Sequence, residues 1–178
     1  WRARLGDYFS ELGIDGSAPS TAPQRLPFGP AACDFVCEVR PKVVSFHFGL
    51  PDRVLVDRVK AAGIVVLSSA TTVAEARYLE EHGCDAVIAQ GYEAGGHRGM
   101  FLTDRIASQI GTLALVPQVV DAVKVPVIAA GGIADHRGIL AALALGAAGV
   151  QMGTAFLQSP EAKVSALHRA ALAGSTDD

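Results

Sequence analysis

Charge is scarce in this chain. Only 19% of its 178 residues are charged, 15 Lys and Arg stand against 18 Asp and Glu, and the net charge is −3. With no basic excess, neither a nucleic acid nor an anionic membrane is expected as a partner. Cysteine is scarce too. Cys33, Cys37 and Cys84 form no paired framework, which excludes a disulfide-stapled secreted scaffold. The Cys33-x₃-Cys37 spacing has no histidine or second pair beside it and is a weak metal signal, so the three read as reduced thiols of a cytoplasmic protein. No apolar run approaches the roughly 18 residues of a membrane span, and no signal-peptide pattern is visible. The first residue is Trp1 and not Met, followed at once by helix-like sequence, and the expectation is an incomplete sequence.

Hydrophobic residues and glycine are plentiful, at 50% and 19 residues. That content excludes global disorder, and the length suits one domain with a sizeable core. The densest chemistry lies in Ala89–Gly99, where Gly91, Gly95, Gly96 and Gly99 interleave with Gln90, Tyr92, Glu93, His97 and Arg98. It follows the apolar run Ala86-Val87-Ile88-Ala89, which reads as a buried strand. A glycine loop with a histidine, leaving such a strand, is where α/β folds put their chemistry. A solvated surface turn is the plainer alternative.

The surrounding sequence has a rhythm. Residues 1–13 predict a short amphipathic helix stopped at Gly13, and 15–30, rich in Pro, Gly and Ser, predict a loop. Apolar strands then begin near 43, 64, 86, 126 and 148, with helical periodicity between them. Thr72-x-x-Glu75 reads as a capping box. A helix is expected within 104–124, with Pro117 in its first turn or breaking it, and another over His136–Leu145. Continuously apolar strands alternating with helices imply a parallel sheet. Five of them fit either a flavodoxin-like open sheet or part of a TIM barrel.

Two later strand exits have the character of phosphate sites. Gly131-Gly132 leads towards a helix whose amides would bind an anion, and Gln151-Met152-Gly153-Thr154 offers a close backbone approach beside a hydroxyl. TIM barrels frequently form their phosphate site after the last two strands.

The runs Gln90-Gly91-x-Glu93-Ala94-Gly95-Gly96-His97-Arg98-Gly99, Val127–Asp135 and Gly149–Leu157, with Ser45-Phe46-His47-Phe48-Gly49 and Ser69–Thr72, resemble the nitronate monooxygenase family. The resemblance spans roughly residues 40–160. It implies an α/β, parallel (β/α) TIM-barrel fold, with five of eight strands present and three expected before Val43. It also implies FMN as cofactor. Gln90 would hydrogen-bond the isoalloxazine and Gly95 would lie against it. Gly131, Gly132, Gln151, Met152, Gly153 and Thr154 would hold the phosphate, and His97 would be catalytic. The implied reaction is oxidation of a small alkyl nitronate by O₂ to a carbonyl compound and nitrite. The alternatives are an FMN-dependent NAD(P)H reductase of an enoyl thioester or quinone, and a non-catalytic fragment or phosphate-ligand binder. Oligomeric state is not readable.

The expected organisation is a connector and helix over 1–42, strand–helix repeats over 43–160 and a C-terminal helix over 161–178. Such a segment by itself is expected to be neither a closed barrel nor a competent enzyme. His47 is a candidate for the pocket, His82 a helix-end residue, and His136 and His168 solvated helix residues. Glu93 reads as orienting its loop, and Asp135 as an N-cap.

Overall fold

Residues 2–17 and 26–176 are described in the structure, a computed structural model. Pro19, Ser20 and Pro23, from the expected loop, lie outside the described residues. Five strands, β1 (Val43–Phe46), β2 (Val65–Ala70), β3 (Ala86–Gln90), β4 (Val127–Ala130) and β5 (Gly149–Gln151), form one parallel sheet in sequential order. Seven α-helices accompany them among the described residues: α1 (Gly6–Glu11), α2 (Pro30–Val39), α3 (Arg53–Ala61), α4 (Val73–Glu81), α5 (Thr112–Ala122), α6 (His136–Ala144) and α7 (Ala166–Ala173).

The strand order decides between the two architectures that periodicity left open. A flavodoxin-like sheet reverses direction, as in 2-1-3-4-5. Here every strand pairs with its predecessor, so crossovers of one hand put every connecting helix on the same face. That is the arrangement of consecutive (β/α) units of a TIM-barrel fold.

The pleat then sorts side chains. Val66 of β2, Val87 and Ala89 of β3, and Val127 and Ala129 of β4 point to the helices, and all are almost completely buried. They meet Ala76 and Leu79 of α4 and Leu115, Val116 and Val119 of α5. Residues of the other parity, including Ser45, Ser69, Ile88, Gln90, Ala130 and Gln151, line the opposite, concave face. Partnered residues of a parallel sheet share a face, and the register sets Gln90 beside Ala130 and Ala130 beside Gln151.

Three local expectations are revised. Pro30, read as loop punctuation, is the first residue of α2, where a missing N–H leaves no bond unmade. α2 packs on α3, with Cys33 fully buried and its sulfur 4.0 Å from that of Cys37. Pro117 neither opens nor breaks its helix. α5 runs through it to Ala122, because Leu115, Val116 and Val119 bury a face that outweighs one absent backbone bond. The capping box is half formed: the Thr72 hydroxyl accepts from the Glu75 amide, but the Glu75 carboxylate turns inwards to other donors. Among the described residues, no helix is long and apolar enough to cross a membrane.

Leu79, 0% exposed, sits where α4 meets the helix-facing side of the sheet. Leu79→Ala is expected to lower stability by about 2–5 kcal/mol, from lost transfer energy plus an unfilled cavity. A urea denaturation curve with an unchanged midpoint would show that this interface is not the core.

Candidate functional site

The strand ends converge on a cavity of about 1030 Å³ over the concave face. Its floor is the row Gln90–Ala130–Gln151, with Ser45, Ser69 and Ile88 beside it. Its walls come from Gly95 and Gly96 after β3, Gly131–Ile133 after β4, and Gly153–Ala155 after β5. A second cavity of about 500 Å³ is lined by Tyr92, Glu93, Ile106, Ala107, Gln109 and Gly111 and shares only Glu93 with the first.

The loop after β3 is fastened by its own polar side chains. Gln90 donates from Nε2 to the His97 carbonyl at 2.9 Å and accepts at Oε1 from the Gly99 amide at 2.7 Å. His47 Nε2 lies 3.2 Å from the same carbonyl, a hydrogen bond in the tautomer that carries its proton there. Arg98 donates to the carbonyls of Ala94 and Gly91 and lies 4.9 Å from the Tyr92 ring centroid. Glu93 accepts from both the amide and the hydroxyl of Thr112, the first residue of α5. The Thr112 hydroxyl also lies 3.0 Å from the Gly131 carbonyl, so one residue joins the exits of β3 and β4. Close packing there leaves no room for a side chain at Gly91, whose Cβ would stand 2.4 Å from the Thr112 amide nitrogen.

Beyond β1 the chain turns through a bulky residue in the left-handed region, Phe48 at φ 66°, which costs about 1–3 kcal/mol. The Phe48 ring sits edge-on to both His47, at 4.5 Å, and His97, at 5.9 Å. The strained turn thus sets three rings together, of which only His47 lines the cavity.

The glycine turns after β4 and β5 depart from the helix-terminus expectation. Asp135 caps α6 as anticipated, its side chain accepting from the Arg137 and Gly138 amides, and this occupies that helix terminus. The donors left are in the turns. Among the described residues, no hydrogen bond engages the amides of Gly132, Ile133, Thr154 or Ala155. Gly131, at φ 119°, and Gly132, at φ 67°, form a turn open only to glycine. The loop after β3 comes so close that a Cβ on Gly95 would lie 2.9 Å from Thr154 Oγ1.

Residues 30–178 match the family described as Nitronate monooxygenase. The nitronate monooxygenase of Pseudomonas aeruginosa is 54% identical over 145 residues, which are 82% of this chain and 41% of that protein. This chain belongs to the nitronate monooxygenase family. Among solved structures, nitroalkane oxidase from Streptomyces ansochromogenes is similar at 46% identity and a TM-score of 0.75, covering 79% of this chain and 41% of that one. FabK from Thermotoga maritima is similar at 38% identity and a TM-score of 0.70, covering 82% and 43%. The chain therefore spans about two-fifths of the length of the relatives it matches.

In this member of the family, the residues singled out from sequence are distributed unevenly. Gln90, Gly95, Gly131, Gly132, Gln151, Gly153 and Thr154 all line the large cavity. Met152, between two of them, does not. The Gln90 amide is committed at both ends to the loop, leaving one Nε2 proton and one Oε1 lone pair for anything else. His97 is exposed on the loop, its carbonyl held and its ring over Phe48, while it is His47 that lines the cavity. His82 ends α4, stacked on Tyr78 with Nδ1 2.7 Å from the Tyr78 carbonyl. His136 begins α6 and is exposed. His168 of α7, read as a solvated helix residue, lines the cavity, which no local sequence signal announces.

The donors and the space suit a phosphorylated planar cofactor. Free backbone amides flank the Gly-Gly turn and Thr154, glycines stand where a Cβ would close the cradle, and the one acidic lining residue, Glu93, is engaged with Thr112. Partial burial alone would raise the Glu93 pKa. Hydrogen bonds from its own amide and from Thr112, with the Arg98 charge, outweigh this and hold it below the ordinary 4.5. A lowered folded-state value means the ionised clamp contributes fully above about pH 4.5 and is lost as pH falls through that lower value. Glu93→Gln should therefore flatten the acid limb of stability below pH 4.5, seen as a smaller fall in urea midpoint between pH 6 and pH 3. Parallel curves for the two proteins would count against the clamp.

Proposed function

We propose that this chain forms the FMN site and reaction chamber of a flavoenzyme that oxidises small alkyl nitronates with O₂ to a carbonyl compound and nitrite. The observation that carries the reading is the convergence, in a chain of this family, of the Gly131–Gly132 turn and the Gly153–Thr154 turn on one cavity. The Gly132, Ile133, Thr154 and Ala155 amides would hold the phosphate. A single cradle of this kind, with no Gly-x-Gly-x-x-Gly fingerprint in the sequence, suits a mononucleotide over a dinucleotide. Gln90 and Gly95 would meet the ring system. Once bound, FMN supplies the redox chemistry.

The chain's own part is to orient and to manage charge. The nitronate is an anion, and imidazole is the side chain best suited near neutrality to donate to it or to take a proton. His97, carried on the glycine loop, is the proposed catalytic residue. His47, on the cavity wall and within 3.2 Å of the His97 carbonyl, supports the position of that loop.

The full-length polypeptide should purify with a flavin spectrum, and denaturation should release FMN. Recovered FAD, or a colourless protein that gains no flavin absorbance on titration with FMN, would overturn the cofactor assignment. Oxygen uptake should depend on nitronate; turnover with NAD(P)H but not nitronate would favour the reductase alternative.

His97→Asn should lower kcat by about 10²–10⁴-fold with flavin content unchanged. Loss of flavin, or unchanged kinetics with both nitroalkane and nitronate, would remove His97 from the role.

A further inference from the structure

Glu75 is a glutamate at 0% exposure, the most deeply buried acidic side chain described. A buried carboxylate is expensive unless its oxygens are satisfied. No ion pair engages Glu75 among the described residues. Its compensation is four neutral donors in two groups. Oε2 accepts from the amide and the hydroxyl of Thr71, each at 2.7 Å, at the exit of β2. Oε1 accepts from the Phe101 amide at 2.7 Å and the Leu102 amide at 3.2 Å, just beyond the glycine loop.

From this arrangement we infer that Glu75 is a positioning residue for the loop that carries His97, acting as the tie at the loop's C-terminal stem. The loop has three such ties. Glu93 fixes its N-terminal stem to Thr112, Gln90 holds its middle at His97 and Gly99, and Glu75 anchors residues 101 and 102 to the exit of β2. The Phe101 ring continues the last contact. It packs against Tyr78 of α4 at 5.4 Å and lies 3.2 Å from where a Gly49 Cβ would stand, beside the strained Phe48. One carboxylate therefore joins the turn after β2 to the stem beyond the β3 loop, and the packing of Phe101 extends that tie to the turn after β1.

Only an acceptor at both oxygens can do this. Thr71, Phe101 and Leu102 all present donors, so in Glu75→Gln the amide NH₂ must face either the two backbone N–H groups of Phe101 and Leu102 or the Thr71 N–H, and only the Thr71 hydroxyl can turn to accept from it. An Asp would be one methylene too short to reach both groups.

The inference concerns the loop and rests on the proposed function only for its kinetic consequence, so two readouts separate them. In native-state hydrogen exchange of the unsubstituted protein, the Thr71, Phe101 and Leu102 amides should be protected and respond to low denaturant as one class. Unprotected Phe101 and Leu102 amides would overturn the inference with no variant needed. In Glu75→Met, which keeps the side-chain length and removes both acceptor oxygens, protection at 101 and 102 should fall by about tenfold or more, the scale of a lost hydrogen bond to a charged group, while β3 and β4 amides keep theirs. In the flavin-loaded full-length polypeptide, kcat for nitronate should fall with flavin content retained. Loss of protection spread evenly over the sheet would overturn the inference, because it would make Glu75 a general core residue. Selective loosening of 101 and 102 in a protein without nitronate turnover would uphold the loop tie and count only against the proposed reaction.

Discussion

A parallel pair places partnered residues on the same face of the sheet, and nearly everything of interest in this chain depends on that constraint. Because the five strands pair in sequential order, their crossovers all turn the same way and one face is filled by helices. The other face is left for strand ends. Gln90, Ala130 and Gln151 fall in one row, and the three turns that leave their strands open on the same space. A slip of one residue in any strand would carry its polar member from the cavity to the hydrophobic interface.

Within that frame the glycine loop is an ordered element. Its flexible-looking composition serves close approach: Gly95 next to Thr154, Gly91 next to Thr112, Gly99 next to His47. Its position is held by polar side chains at its start, Gln90 and Glu93, and by Glu75 from α4. Two of these are acids that pair with neutral donors. Such bonds are directional and short, so they fix geometry without placing a cation near the cavity floor.

The end proposed to hold the phosphate likewise offers amides. Asp135 satisfies the first turn of α6, so the proposed phosphate would be left the turn amides of Gly132, Ile133, Thr154 and Ala155. The His168 imidazole on α7 also lines the cavity, brought in from a helix outside the strand–helix repeat. Phe48 accepts a left-handed backbone between the two histidine rings, of which His47 alone lines the cavity.

The strand–helix rhythm, the glycine exits and the Asp135 cap were legible in the sequence, because each rests on periodicity or on chemistry within a few residues. The Thr72 cap was legible, but the partner of Glu75 was not, since Phe101 and Leu102 lie 26 and 27 residues away. Pro117 inside α5 was misjudged for a related reason, as helix continuation there rests on burial against β3 and β4. Periodicity alone left open sheet and barrel equal, because both use the same repeated unit. Only strand pairing, a contact between distant segments, separated them. The sequence thus determined which residues were available at each strand end. The tertiary structure decided which of them share a face, that Gln90 clasps the loop at His97, and that His47 and His168 reach the cavity while Met152 does not.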